Sequence, residues 1–247
     1  MARPRRSDVI IPEMPATLHA PCSMREDDPD GRASQSALDS AVDAASWAAI
    51  DEKVDGAQLA VRFEGDVPHL RQRNHVMSKS FIARTPHQTQ LVPAWEWFHA
   101  RTKQFRALAR CLGYEPVVHG EWLLGAHGVQ YDALPALWLA FDVMDERCER
   151  FLPHAVAHRA LESAGISAVP TLAFGSPCDI APRLYELSRG PSLLSATGIA
   201  REGSYLRLGD DRATTARFKS LPGGIQRGLT LDGMGGYVRN AVRAGQA

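Results

Sequence analysis

Lysine is scarce in this chain of 247 residues. Lys and Arg together number 28, and only Lys53, Lys79, Lys103 and Lys219 are lysines. Arginine stays protonated at accessible pH, so amine nucleophilic chemistry can fall only on those four positions. Net charge is also missing. Asp and Glu likewise number 28, which leaves a formal charge of +0. A protein living mainly by non-specific phosphate attraction carries a clear basic excess, so that class is excluded, although local basic patches are not. The four cysteines, Cys22, Cys111, Cys148 and Cys178, form no C-x-x-C pair and no zinc-ligand spacing. No apolar run approaches bilayer length, and no apolar stretch follows the basic N-terminus. The expected setting is therefore the cytoplasm, with reduced thiols and no membrane. There is no G-x-x-x-x-G-K-[ST] phosphate loop, no G-x-G-x-x-G fingerprint and no G-x-S-x-G nucleophile elbow. His154 and His158 stand four apart, compatible with a metal on a helix, but lack the intervening Glu of a zinc protease.

What remains is an ordinary globular composition, 45% hydrophobic and 23% charged. Residues 1–40 are poorly patterned. Val9-Ile10-Ile11 reads as an edge strand ended by Pro12, and Arg25 to Arg32 is a charged, turn-forming stretch. Ser36 to Ala49 is Ala-rich and helix-compatible. Ile50 to Val54 reads as a strand and Asp55-Gly56 as a turn. In Gln58 to Glu64, Leu59, Val61 and Phe63 alternate with Gln58, Ala60 and Arg62, the period of a strand. Val67 to Arg73 follows as another strand.

The spacing of Trp95, Phe98, Phe105, Leu108 and Leu112 predicts one helix over Pro93 to Leu112, stopped by Gly113. Pro116 to Leu124 and Leu137 to Met144 read as strands, and Pro153 to Ser163 and Pro182 to Ser188 as short helices. Glu202 to Leu208 and Thr214 to Ser220 form a hairpin about Gly209-Asp210-Asp211, and Tyr237 to Arg243 reads as a short helix. Strand pairs with inserted helices, without strand–helix–strand alternation, predict an α+β fold of mainly antiparallel sheets.

The sharpest local signal is Glu52-Lys53-Val54-Asp55-Gly56, which places a rare lysine at a strand end before a tight turn. Lys-x-Asp-Gly is also a plain hairpin turn. Three further segments add to it. Gly120-Glu121-Trp122-Leu123-Leu124-Gly125 carries a carboxylate in an apolar strand. Leu139 to Asp145 follows with Phe141. Glu202-Gly203-Ser204-Tyr205-Leu206-Arg207 precedes Arg217-Phe218-Lys219. That order resembles the covalent nucleotidyltransferase superfamily of polynucleotide ligases and capping enzymes. More narrowly it resembles the ATP-dependent RNA ligase family of the phage RNA ligase 2 type. His127 and Tyr131-Asp132-Ala133-Leu134-Pro135 add to the likeness, which spans about Ala49 to Pro222.

The resemblance implies a nucleotidyltransferase (ATP-grasp-like) domain over residues 41–222. Residues 223–247 would be a short Gly-rich tail with no OB-fold domain, and a partner protein could supply the C-terminal domain that larger ligases add. It implies ATP as co-substrate and Mg2+ or Mn2+, and as function the joining of an RNA 5′-phosphate to a 3′-hydroxyl through lysyl-AMP. The nucleophile would be Lys53, neutral when it attacks and so expected to have a lowered pKa. Glu52 would contact the nucleotide, and Gly56 would allow its close approach. Arg73 would meet a phosphate or the RNA end. Glu121 would hold the ribose or the metal, Phe141 would stack on adenine, and Glu202 would bind the metal. Arg217 and Lys219 would neutralise the α-phosphate.

Each of these residues also has a plainer reading, such as a solvated strand residue for Arg73 or a core aromatic for Phe141. Two basic runs, Arg71–Arg73–Lys79 and Arg101–Lys103–Arg106–Arg110, could follow a phosphate backbone or simply face solvent. Two alternatives stay open. One is an adenylyltransferase of the same superfamily acting on nicked DNA or another polynucleotide. The other is a non-catalytic module that binds nucleotide or RNA ends.

Overall fold

The computed structural model describes residues 11–24, 30–73, 75–77, 90–223, 230–232 and 236–244. Val9, Ile10 and Lys79 lie outside the described residues, as does most of the charged stretch before Asp30. Among the described residues eleven strands form two sheets, with helices on their outer faces. One sheet holds β1 (Leu18–His19), β2 (Trp47–Lys53), β9 (Thr171–Gly175), β10 (Gly203–Gly209) and β11 (Thr214–Ser220), in the order β1-β11-β10-β2-β9. The other holds β3 (Ala57–Glu64), β4 (Val67–Gln72), β5 (His75–Val76), β6 (Val117–Trp122), β7 (Trp138–Asp145) and β8 (Arg150–Phe151), in the order β5-β4-β3-β6-β7-β8. Every pairing is antiparallel except β1 with β11. The α+β expectation therefore holds. No helix among the described residues is long and apolar enough to cross a membrane.

Alternation along the strands decides which way each sheet faces. In the first sheet Ala48, Ile50, Leu206, Leu208 and Phe218 turn one way and form a buried cluster with Ile180 and Leu184. These last two come from the short helices Pro177–Ile180 and Leu184–Leu187. The opposite face therefore carries Asp51, Lys53, Tyr205, Arg207, Arg217 and Lys219. Cross-strand register aligns them, with Tyr205 opposite both Asp51 and Lys219, and Arg207 opposite Arg217. The second sheet packs Leu59, Val61, Phe63, Val118 and Trp138 against Trp95, Phe98, Phe105 and Leu108.

The expected long helix is two helices, α2 (Ala94–His99) and α3 (Thr102–Leu112). Arg101 leaves helical geometry at φ −110° and ψ 12°, and its guanidinium lies 3.8 Å from the Trp97 ring centre. The break lets Phe98 and Phe105 both reach Trp138, at ring separations of 5.2 and 6.1 Å. Tertiary packing overrides helical continuity here. Gly113 ends α3 at φ 77°, in the left-handed conformation that glycine adopts without strain. The helix expected from Ser36 is α1 (Gln35–Ala44), capped by Ser34 and ended before Trp47 so that β2 can begin.

Tyr237 to Arg243 is not helical. It runs extended along residues 123–134, because Asn240 accepts from Tyr131 N at 2.7 Å and donates to Leu123 O at 2.8 Å. Ala241 exchanges backbone hydrogen bonds with Tyr131 and Leu134. Tertiary partners outcompete a short helix, which is marginal alone.

Candidate active site

β2 belongs to one sheet and β3 to the other, joined only by Val54-Asp55-Gly56. Lys53 therefore stands where the chain crosses between sheets. Asp55 fixes the crossing: its amide donates to the Tyr131 hydroxyl at 2.8 Å, and its carboxylate accepts from Val129 N at 3.0 Å. Gly56 passes so close to β6 that a Cβ there would lie 2.5 Å from Trp122 O. Glycine is required by that approach and not by an unusual backbone angle.

Between the sheets lies a cavity of about 770 Å³, lined by Lys53, Glu121, Phe141, Glu202, Tyr205 and Lys219 among others. That volume suits a small-molecule or cofactor site. All the residues named from sequence line it: Glu52, Lys53, Gly56, Arg73, Glu121, Phe141, Glu202, Arg217 and Lys219. Three strands of the first sheet and four of the second converge there.

Their environments differ. Lys53 donates to Glu202, and its ammonium lies 5.8 Å from the Tyr205 ring centre. Burial works against the charge, but the negative Glu202 beside it, reinforced by Tyr205 and Asp55, raises the Lys53 pKa above the ordinary lysine value. The expected lowering is thus absent. Glu121 shows the converse. Burial, with Glu202 and Asp55 nearby, pushes its carboxyl up to about 8, although Lys53 opposes the shift.

Glu52 faces away from Lys53 along the strand and is tied to a loop. Its carboxylate accepts from the Ser192 hydroxyl and from Leu193 N, the latter at 2.9 Å. Burial raises its pKa against those hydrogen bonds.

Phe141 has no residue opposite it, since His119 pairs with Asp142 and Gly120 with Ala140. This β-bulge aims the half-buried ring at the cavity. Arg217 and Lys219 reach the same space from β11. Lys219 pairs with Asp30 at 2.5 Å, and Arg73 also donates to Asp30.

Sequence reasoning missed the layer that supports these groups. Arg207 donates to Asp51 at 2.6 Å and to Asp142 at 3.2 Å, and Arg217 donates to Asp142 at 3.1 Å. Asp51, Arg207 and Asp142 are all buried. His154 lies 3.0 Å from Asp51, and the Thr171 hydroxyl donates to Asp51 at 2.8 Å. Tyr205, quoted within its segment, was given no role of its own. The signal available for Tyr205 and Arg207 was their alternation with apolar Leu206 and Leu208.

Two clusters could in principle hold a cation. Asp51, His154 and His158 bring ligand atoms within 4.8 Å of one another. Arg207 already neutralises that carboxylate, and a second positive charge would be repelled, so this is an ion-pair network. The carboxylates of Glu121 and Glu202 are better suited. They are hard oxygen donors lining one cavity, and burial, with Glu202 nearby, raises the Glu121 pKa to about 8, a cost of ionisation that a divalent cation there would offset.

The basic runs are partly occupied. Arg71 pairs with Glu13 at 3.0 Å and Arg106 with Asp66 at 2.7 Å. Lys103 is exposed.

Two mainly antiparallel sheets thus meet at a lysine where the chain crosses from one to the other. The family comparison is more specific: the chain belongs to the RNA ligase family, whose model matches residues 48–221. Among solved structures the chain is similar to a variant of Naegleria gruberi RNA ligase with ATP and Mn, at 16% identity and a TM-score of 0.52. That match covers 75% of this chain and 51% of the ligase, so the chain spans about half the length of that relative. The same ligase with pyrophosphate aligns at 17% identity and a TM-score of 0.52, covering 90% of this chain and 60% of the ligase. At such identities the likeness is one of fold. No curated protein matches the chain.

Proposed function

We propose that this protein is an ATP-dependent RNA ligase that works through covalent lysyl-AMP at Lys53. The observation that carries the proposal is the position of Lys53 at the sheet crossover, paired with Glu202 and lining one cavity together with Glu121, Arg217 and Lys219. Family membership supports the reaction class, and the Naegleria structures with ATP and Mn or with AMP and Mn support the co-substrate and a divalent metal.

In the first step the Lys53 amine attacks the α-phosphorus. An N–P bond forms, the P–O bond to pyrophosphate breaks, pyrophosphate leaves, and the lysine's proton passes to solvent. The resting protein holds that proton on Lys53 through Glu202. Activation therefore requires Glu202 to be drawn away. Glu121 and Glu202 would hold Mg2+ or Mn2+, and such an ion supplies charge neutralisation at the phosphates. As ligands both carboxylates would be ionised, and Glu202 would then no longer be committed to the Lys53 ammonium.

Arg217 and Lys219 would balance charge building on the α-phosphate. Phe141 would hold the adenine. AMP would then pass from Lys53 to an RNA 5′-phosphate, and a 3′-hydroxyl would displace it. A nicked duplex and two free RNA ends are both acceptors compatible with this chemistry.

The test is label transfer from α-labelled ATP with magnesium, read on a denaturing gel beside Lys53→Ala. Label in the wild type and none in the variant is expected. An unlabelled wild type that is folded and not already adenylylated by mass would overturn the proposal in favour of a binding module. Offering labelled protein RNA or DNA ends then decides the acceptor.

A further inference from the structure

One contact in the cavity is not accounted for by catalysis. Asp30 places its two carboxylate oxygens on two different cations, Oδ2 on Lys219 of β11 at 2.5 Å and Oδ1 on Arg73 after β4. Both cations line the cavity, as does Asp30, whose side chain is only 11% exposed. An anion bridging a cation from each sheet is arranged as a phosphoryl group bound there would be.

The chain goes to some length to deliver it. β1 pairs in parallel with β11, with His19 opposite Lys219. Ala20 N donates to Lys219 O at 2.8 Å, and Met24 N donates to Leu221 O at 2.9 Å. His19 N donates to Gly31 O at 2.9 Å, and Ala33 N donates to His19 O at 2.8 Å. Gly31, at φ 76°, takes the left-handed turn beside Asp30. Arg32 donates to Pro21 O at 2.9 Å and to Ser23 O at 2.5 Å, closing the strap on itself. The strand that carries Lys219 thus also anchors the segment that delivers the carboxylate. Burial resists ionisation of Asp30, but Lys219 and Arg73 lower its pKa below the usual value, so it is anionic at neutral pH.

We propose that Asp30 occupies the phosphate position between Lys219 and Arg73 in the free protein, an intramolecular competitor that an incoming phosphoryl group must displace. This rests on the nucleotide-binding function proposed above. A triphosphate carries more charge than one carboxylate and wins the exchange, whereas weakly charged or uncharged ligands do not. The strap would thereby set a threshold for occupancy.

The experiment measures binding of inorganic tripolyphosphate, and of 5′-phosphorylated and 5′-hydroxyl oligoribonucleotides, to wild type, Asp30→Asn and Asp30→Glu. Removing one negative charge beside the site should tighten phosphate binding by about tenfold in Asp30→Asn. The gain should shrink in high salt, while Asp30→Glu should bind as wild type. A gain confined to tripolyphosphate identifies the nucleotide's phosphates as the displacing group. A gain confined to the 5′-phosphorylated strand identifies the RNA end. Unchanged or weaker binding of both in a folded Asp30→Asn, or in Asp30→Ala if Asp30→Asn does not fold, overturns the proposal. Tighter tripolyphosphate binding without lysyl-AMP formation would retain it while removing the ligase function. Lysyl-AMP formation with no change in binding would do the reverse.

Discussion

Lys53 donates a hydrogen bond to Glu202, a carboxylate brought beside it by the antiparallel pairing that sets Gly203 opposite Lys53. The pair keeps Lys53 protonated, because Glu202 together with Tyr205 and Asp55 outweighs the effect of burial on the ammonium. Glu202→Gln keeps the shape and removes the charge. Lys53 should then be acylated faster by an amine-directed reagent at pH 8, read by peptide mass mapping, while self-adenylylation falls. A Lys53 no more reactive than in wild type would show that Glu202 does not set its proton affinity.

Phe141 is the aromatic that the bulge in β7 presents to the cavity. Stacking of a base on an aromatic ring contributes about 1–3 kcal/mol. Phe141→Ala should therefore weaken AMP binding by about tenfold or more. Unfolding stability should change little, because the ring is only half-buried. Isothermal titration and urea denaturation on the same preparations separate the two effects. Equal AMP affinity would return Phe141 to the core.

The Asp142 carboxylate joins two arginines, Arg207 and Arg217, at 3.2 and 3.1 Å, and burial fails to stop them lowering its pKa to about 2. Asp142→Asn leaves two guanidinium groups short of one negative charge beneath the cavity. Removing one partner of a buried pair costs about 3 kcal/mol or more. The urea midpoint should drop accordingly, and Arg217, which has no other ion pair among the described residues, should lose its aim more than Arg207, which retains Asp51. A variant as stable as wild type would mean that the network carries no net stabilisation.

The fold class and the site were legible to different depths. Lys53, Glu121, Glu202 and Lys219 could be named because each stands in a short segment whose residue types and order are distinctive. Strands β3, β10 and β11 were legible because one face is buried and alternation writes that face into the sequence. β9 was not, since Thr171 to Gly175 lies at a sheet edge where neither face is fully buried. The break at Arg101 was invisible because its cause, Trp138, stands far away in the chain. The Asp51–Arg207–Asp142 network was invisible for the same reason. Charged residues in strands read locally as solvent-facing, and only the stacking of two sheets buries them together. Asp30 was noticed as part of an acidic stretch, but its partners are 43 and 189 positions away.

His158 gives the stability a pH dependence whose sign can be worked out. It stacks on His154 at a ring separation of 4.0 Å, and its buried Nε2 has no hydrogen-bond partner among the described residues. Burial, with His154 and Arg207 nearby, lowers its pKa from 6.5 to about 4, although Asp51 and Asp142 oppose the shift. Below the unfolded value of 6.5 the unfolded chain takes up a proton that the native protein refuses. The neutral ring's stabilisation is thus complete above that value and is lost as pH falls towards 4, by about 3 kcal/mol at most. His119, also lowered to about 4 by burial, acts in the same direction. Glu121, raised to about 8, acts in the opposite one, so the raw pH curve mixes all three. The difference between wild type and His158→Phe isolates the one group, since phenylalanine keeps a ring against His154 and does not titrate. In urea titrations at pH 7, 6, 5 and 4 the variant should gain on the wild type at each step down. A constant difference across that range would mean that His158 ionises as readily in the native protein as in the unfolded chain.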